Sequence, residues 1–264
     1  MSTGDVELET IEGSIYDWPK YYEFIYGSDW QAECRFLVDC FDTFVDGKVQ
    51  RLFEPACGTG RLIYRLGKQG YQVSGLDLNP HAVEYCNKRL TKHDIQGTSW
   101  VGDMCDFTLK TPCDAAFNTI NSFRHLTDDQ AAVEHLRSMA AAVRKGGIYV
   151  LGLHLTPVDQ EPEDNESWSH RRGSLQVNAD MYLVERHPRK RLETYALSFD
   201  VYTPSKQFRI QDQFQFRTYT YLQFQALLDK VPAFQVVEVF DFAYDYPILP
   251  NGSTQDAVFV LEKC

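Results

Sequence analysis

Between Leu52 and Leu62 the chain reads Leu-Phe-Glu-Pro-Ala-Cys-Gly-Thr-Gly-Arg-Leu, an apolar run that collapses into glycines and restarts at helical spacing. This predicts a strand, a tight turn and a helix start in immediate succession. Glycines at 58 and 60 let backbone approach a ligand without side-chain obstruction, and the helix opening near Arg61 offers unpaired N–H groups. The spacing departs from the dinucleotide fingerprint: Ala56 holds its first glycine position, and Ile63 stands where the last small residue belongs. Glu54 sits in the same turn, where a carboxylate repels a pyrophosphate and attracts a cation. The expected ligand is therefore positively charged near this loop.

The downstream pattern supports an open α/β sheet. Leu62, Ile63 and Leu66 give a helix stopped between Gly67 and Gly70, and Tyr71–Leu76 a second strand. Asp77 ends that strand seventeen residues beyond Gly60, where such sheets place an acid beside a ribose; a helix cap before Asn79-Pro80 is the competing role. Pro80 opens a helix through Leu90, and Thr98–Val101 is a third strand running into Gly102–Phe107. There Asp103 is placed to accept from an adenine amino group or, alternatively, to close its own turn. Asp114–Asn118 is the fourth strand, and the loop from Asn118 to His125 leaves it towards the ligand crevice. A helix over Ala131–Val143 stops at Lys145-Gly146-Gly147, and Ile148–Leu151 is the fifth strand, with His154 beyond its end.

Upstream, residues up to Gly13 read as a frayed acidic tail, followed by an aromatic cluster from Tyr16 to Tyr26 in which Pro19 opens a helix. That cluster holds more aromatics than one buried face requires, as a lid over an apolar or sulfur-bearing ligand would. Ala32, Phe36, Leu37, Cys40, Phe41 and Phe44 then mark an amphipathic helix capped by Asp29 and ended by Gly47. Downstream, residues 156–178 are polar and read as a loop or lid. The period then changes to two: Met181–Val184, the alternation Tyr195, Leu197, Phe199, Val201 and the alternation Phe208, Ile210, Phe214, Phe216 predict an inserted antiparallel sheet. The basic run Arg186–Arg191 is expected to be a solvated hairpin tip. Thr220–Val231 is a helix, and Phe234–Phe242 and Ala257–Leu261 are the last two strands, close enough in sequence to pair antiparallel.

Composition excludes several classes. A formal charge of −11 disfavours nonspecific nucleic-acid binding, which needs a basic face. Seven cysteines without C-x-x-C spacing indicate neither a disulfide framework nor a zinc site and fit a reducing cytoplasm. The acids Asp5, Glu7, Glu9 and Glu12 are not the start of a secretory signal, and the longest apolar stretch, Gly147–Leu155, falls short of the ~20 residues of a membrane span.

Taken together, Glu54–Gly60, Gly75–Asn79, Gly102–Asp106 and Asp114–Asn118 resemble, in order, the motifs of class I S-adenosylmethionine-dependent methyltransferases. Glu54 replaces the more frequent Asp, and Ala56 a Gly. The resemblance implies a Rossmann-like, seven-stranded, mostly parallel sheet with helices on both faces and its last strand antiparallel. The inserted sheet is similar to that of small-molecule members such as sugar-amine N-methyltransferases and glycine N-methyltransferase, where it roofs the acceptor site. The implied organisation is an N-terminal helical lid (1–46), a cofactor-binding core (47–155 and 218–264) and an inserted substrate cover (156–217).

S-adenosylmethionine carries a sulfonium and an amino group but no phosphate, which suits a crevice lined by Glu54, Asp77 and Asp103. By resemblance, Ala56, Gly58, Thr59 and Gly60 hug its methionine portion, with Tyr22 and Arg61 at the carboxylate. Asp77 then holds the ribose, Leu78 packs on adenine, Asp103 with the Met104 backbone reads the adenine edge, and Asn118 belongs to the crevice wall. An oxygen acceptor needs a general base, for which His125 and His154 are placed, whereas a nitrogen acceptor needs only to be neutral. Tyr26, Trp30, Trp168 and His170 are substrate-side candidates. The expected partner is a small molecule, with no nucleic acid, membrane or metal, and a homodimer as an allowed assembly. A noncatalytic cofactor-fold subunit and a nicotinamide-dependent dehydrogenase are the alternatives.

Overall fold

The computed structural model describes residues 8–28, 30–159 and 165–264. A strand β1 (Glu9–Glu12) and a 3-10 turn (Ile15–Asp17) lead into helices α1 (Pro19–Tyr26) and α2 (Gln31–Phe44). The core then alternates β2 (Arg51–Pro55), α3 (Arg61–Gly67), β3 (Gln72–Asp77), α4 (Pro80–Lys92), β4 (Gly97–Val101), β5 (Cys113–Asn118), α5 (Asp129–Ala142) and β6 (Val143–His154). Four long strands follow: β7 (Asn165–Arg172), β8 (Leu175–His187), β9 (Leu192–Tyr202) and β10 (Gln207–Arg217). Helix α6 (Tyr221–Leu228), β11 (Phe234–Phe240) and β12 (Asp256–Lys263) complete the chain.

Seven strands form one sheet in the order β11-β12-β6-β5-β2-β3-β4. Pairing is parallel from β6 to β4, and β12 runs antiparallel to both its neighbours. Strand alternation sends Tyr149, Leu151 and Leu153 to one face, against Leu136, Met139 and Phe224 of α5 and α6. Ile148 and Val150 point to the other, against Leu37, Phe41, Leu62 and Cys86 of α2 to α4. Each fully buried side chain of this size contributes about 1.5–3 kcal/mol, so both helix layers are held by the β6 alternation. Among the described residues no helix is long and apolar enough to cross a membrane.

The second sheet has the order β1-β10-β9-β8-β7. Its inner face presents Val177, Leu197, Phe199, Val201, Phe208 and Ile210 to Ile15, Tyr21 and Ile25 of the N-terminal segment. This sheet is tied to the core by charge as well. Arg124 donates to Glu193 Oε2 at 2.9 Å and Arg186 to Glu193 Oε1 at 2.9 Å, while Arg217 and Arg191 share Asp129.

Four sequence expectations need correction. The acidic tail is partly a strand: Glu9–Glu12 pairs parallel with Phe208–Gln211, because backbone ladder bonds on a sheet edge tolerate charged side chains. The polar stretch 156–178 contains all of β7 and the start of β8; β7 is an exposed edge strand whose polar outward residues carry no apolar alternation, and residues 160–164 lie outside the described set. The Lys145–Gly147 stop lies within β6, where Gly146 at φ +68° and a register shift between Cys113 and Ala115 absorb the irregularity. The basic run is not merely a solvated tip, since Arg186 and Arg191 pair with carboxylates. The Asp29 cap lies outside the described residues; Trp30 occupies the N-cap position and makes no capping bond.

Candidate functional site

The turn after β2 is held by backbone geometry. Ala56, Gly58 and Gly60 all take positive φ, and the Cys57 N–H donates to Leu76 O at 2.8 Å, fastening the turn to β3. The two glycines serve different needs. A Cβ at Gly60 would collide with Cys86 Sγ on α4, whereas one at Gly58 would meet nothing within 4 Å. Gly60 permits helix packing, and Gly58 borders open space.

Asp77 closes this cradle. Its Oδ2 accepts from the Gly58 N–H and its Oδ1 from the Asn79 N–H, both at 2.8 Å. Burial raises its pKa and these two bonds pull it back, leaving a net rise. The helix-cap role belongs to Asn79, whose Oδ1 accepts from His81 and Ala82 N–H at the start of α4.

Glu54 and Asn118 end the neighbouring strands β2 and β5. Burial pushes the Glu54 carboxyl well above the usual carboxylate range, with Arg61 opposing. Among the described residues its Oε2 has no hydrogen-bond partner, nor does Asn118 Oδ1, although Asn118 Nδ2 donates to Pro55 O at 2.8 Å. Two buried acceptor oxygens beside the turn thus lack donors, the deficit an ammonium-bearing ligand would fill. Leu78 is 68% exposed, a large apolar side chain at the crevice rim ready for a planar ring to cover.

In the turn after β4, Asp103 Oδ1 accepts from the Cys105 N–H at 2.8 Å, so it does close its own turn. His135, a residue without a sequence signal for this role, lies fully inside the core and donates from Nδ1 to Met104 O at 2.9 Å. Its Nε2 accepts from the Tyr149 hydroxyl at 2.9 Å, and burial lowers its pKa to about 4.

At the start of α3, Arg61 Nη1 lies 2.5 Å from Glu33 Oε2. Burial lowers the Arg61 pKa, but Glu33 and Glu54 outweigh it and hold it above the usual value. Thr59 Oγ1 donates to Glu23 Oε2 at 2.5 Å, and Arg89 pairs with Glu23 Oε1 at 2.6 Å, docking α1 onto the turn and onto α4. Glu33 was not marked by the sequence, since it reads as an ordinary polar position on an amphipathic helix.

An aromatic wall rises above the crevice. Ring centroids separate Tyr16 from Tyr22 by 5.4 Å, Tyr22 from Tyr26 by 4.8 Å and Tyr26 from Trp168 of β7 by 5.6 Å. Burial pushes the Tyr22 phenol up to about 12, with Arg61 opposing and Asp77, Glu23 and Glu54 adding to the rise, so Tyr22 stands among the charges of the turn. At the far end, Tyr16 Oη and His125 Nε2 are 3.1 Å apart, and His125 is packed by Phe214 and Phe216 of the second sheet. Burial, reinforced by Arg124, lowers the His125 pKa to about 4, leaving a neutral imidazole at physiological pH.

Three candidates stand apart from this wall. His154 pairs through Nδ1 with Asp256 Oδ1 at 2.5 Å and packs on Phe242 at the ends of β6 and β12. Trp30 lies under the Arg65 guanidinium at 4.1 Å on the α2–α3 side. His170 is exposed and touches Phe24 edge-on.

The strand order, with β12 antiparallel at one side, and the glycine turn after β2 define a Rossmann-like α/β fold. Residues 53–147 match the family model described as a methyltransferase domain. The chain is similar to a dTDP-4-amino-2,3,4,6-tetradeoxy-D-glucose N,N-dimethyltransferase of Saccharopolyspora spinosa, 29% identical over 56% of this chain and 58% of that relative's length. In structure it resembles DesVI of Streptomyces venezuelae, with a TM-score of 0.76 at 20% identity, covering 94% of this chain and 99% of that one. It also resembles CalS10, an amino pentose methyltransferase of Micromonospora echinaspora, with a TM-score of 0.74 at 17% identity, covering 98% and 100%. At these identities the structural likeness establishes the fold.

Proposed function

We propose that the protein transfers a methyl group from S-adenosylmethionine to an amine nitrogen of a small molecule held beside the aromatic wall, at the carboxyl edge of the core sheet. The single observation that carries this reading is the juxtaposition of unpaired Glu54 and Asn118 oxygens in a glycine-lined crevice with an aromatic wall ending in a neutral His125. Bound in the crevice, S-adenosylmethionine supplies an electrophilic methyl group on its sulfonium. Glu54 would meet its ammonium, Arg61 and Tyr22 its carboxylate, Asp77 the ribose and Leu78 a face of the adenine. Ala56, Gly58, Thr59 and Gly60 shape the turn around it. The Met104 carbonyl is engaged by His135, so contact with the adenine edge falls to the Met104 N–H and the remaining Asp103 oxygen.

The acceptor nitrogen needs orientation and a lone pair, and near-attack geometry accounts for most of such a barrier. A histidine with a pKa of about 4 is a poor base for an alcohol, and its neutral ring suits it to positioning an uncharged amine by hydrogen bonding. Similar proteins named for amino-sugar methylation fit an amine-bearing acceptor. Tyr26 and Trp168 would line the chamber and the second sheet would roof it, whereas His170 and Trp30 lie at its margins. A reducing, cytoplasmic setting agrees with seven free cysteines, and an acidic chain gives no footing for nucleic acid.

One observation favours a second reading. Asp256 holds His154 by Nδ1 and leaves Nε2 as an acceptor, the arrangement of a general base for a hydroxyl acceptor. Calorimetry with S-adenosylhomocysteine, followed by label transfer from methyl-labelled S-adenosylmethionine to matched panels of amino sugars and their hydroxyl analogues, separates the two. Absence of binding by either adenosyl compound overturns the cofactor assignment, and transfer to the hydroxyl panel alone replaces the amine reading with the second.

A further inference from the structure

Glu33 is only 2% exposed, and each of its carboxylate oxygens holds a different part of the site. Oε2 pairs with Arg61 Nη1 at 2.5 Å, and Oε1 accepts a short hydrogen bond from Thr119 Oγ1. Arg61 is the first residue of α3 after the glycine turn, and Thr119 directly follows Asn118 at the end of β5. One side chain on α2 therefore fixes the two segments that bound the crevice. A guanidinium carries five N–H donors in a rigid planar fork, so anchoring Nη1 determines where the others point. The neighbours of Arg61 indicate that direction: Glu54 and Tyr22, both at the crevice, act on its charge together with Glu33.

We propose that Glu33 is a positioning residue, which locks the Arg61 fork so that its free donors face the carboxylate of the ligand's amino-acid end. This rests on the reading that the crevice holds S-adenosylmethionine. The local charges fit the assignment. Glu33 and Arg61 balance each other, and a zwitterionic amino-acid head presents an ammonium to Glu54 and a carboxylate to the fork. With Glu33 neutralised, Arg61 would turn towards Glu54, the one remaining buried carboxylate near it, and both groups needed by the amino-acid head would pair with each other instead.

The test compares two probes that share the adenosyl thioether and differ in the amino-acid end: S-adenosylhomocysteine, which has it, and 5′-methylthioadenosine, which lacks it. For Glu33→Gln, which keeps an acceptor for Thr119 and removes the charge, calorimetry should give an S-adenosylhomocysteine Kd raised about tenfold or more, as for loss of one charge-assisted bond. The 5′-methylthioadenosine Kd should stay within about twofold. Added to Arg61→Gln, the same change should cost no further affinity, because Glu33 acts through the arginine. Equal weakening of both probes, no weakening of either, or additivity in the double variant overturns the proposal. Should Glu33→Gln not fold, Thr119→Val loosens the same carboxylate and is held to the same two-probe criterion. Failure of the unaltered protein to bind S-adenosylhomocysteine would overturn the cofactor reading and this one together, a result distinct from any produced by the variants.

Discussion

Tyr16 and His125, 109 residues apart in the chain, meet across 3.1 Å at the end of the aromatic wall. One comes from the N-terminal segment and the other from the loop after β5, so the contact joins the covering segment to the carboxyl edge of the sheet. His125→Ala should lower kcat by about a hundredfold, as for an acceptor misplaced by about 1 Å. The S-adenosylhomocysteine Kd should remain within about threefold. Tyr16→Phe removes a hydrogen bond worth roughly 0.5–1.5 kcal/mol and should slow turnover about three- to tenfold. Steady-state kinetics with calorimetry checks both, and an unchanged kcat in His125→Ala would remove that residue from the catalytic assignment.

Glu54 links cofactor binding to pH. Burial raises its pKa in the empty crevice, favouring the protonated form, whereas a ligand ammonium favours the carboxylate. Binding should therefore release a proton, and affinity should increase as pH rises through the elevated Glu54 pKa. Calorimetry in two buffers of different ionisation enthalpy reads the proton directly. Glu54→Gln should abolish the release and weaken S-adenosylhomocysteine binding; a release that persists in the variant would reassign it.

The two turn glycines should separate stability from binding. Gly60→Ala meets Cys86 as well as an unfavourable positive φ, and should cost about 2–4 kcal/mol from overpacking plus left-handed strain. Gly58→Ala carries only the backbone strain, about 1–2 kcal/mol, but its methyl projects into open space. Urea midpoints should fall more for Gly60→Ala. Because Gly58→Ala leaves the packing intact, its loss of S-adenosylhomocysteine affinity should exceed what its smaller stability loss explains.

Two histidines, His135 buried and His125 half-buried, make the fold acid-sensitive. His125 and His135 are each lowered from 6.5 to about 4, so the unfolded chain binds more protons than the folded one between those limits. Their stabilising contribution is present above pH 6.5 and is lost as pH falls towards 4. A displacement of that size corresponds to roughly 3 kcal/mol per histidine. Urea unfolding at pH 7 and pH 5 should show the loss, and His135→Gln, which cannot take up the proton, should flatten it. An unaltered pH slope in that variant would assign the sensitivity elsewhere.

The cofactor half of the molecule was legible because its constraints are local. Glycines at 58 and 60, an acid closing β3 and a period-two apolar alternation are each dictated by neighbours within one strand–turn–helix unit. The strands Glu9–Glu12 and Asn165–Arg172 were not legible, since both are polar edge strands held by backbone bonds that any side chain permits. Glu33 and Tyr16 escaped for another reason. A buried carboxylate on an amphipathic helix looks like a solvated one until its partners, Arg61 and Thr119, arrive from other segments. Tyr16 was one of many aromatics, and its pairing with His125 depends on how the second sheet sits over the core. His154 and Trp30 were marked by residue type and strand-end or helix-end placement, which brought them to the edge of the crevice but not to the aromatic wall.

The pairing of β1 with β10 changes how the acceptor chamber must open. The chain leaves the sheet edge with Gly13 N–H bonded to Gln211 O and Ile15 N–H bonded to Asp212 Oδ2, and enters α1 four residues later. Tyr16 thus hangs on a short bridge with one pier in the roof and the other, through Glu23, on the glycine turn. Opening by a swing of the N-terminal segment alone would break a sheet edge, so an opening that spares it has to carry roof and wall together as one hood. The size of molecule admitted then depends on how far the ties from core to roof, among them Arg124 to Glu193, Arg191 to Asp129 and Asn79 Nδ2 to Asp17 Oδ1, allow that hood to lift.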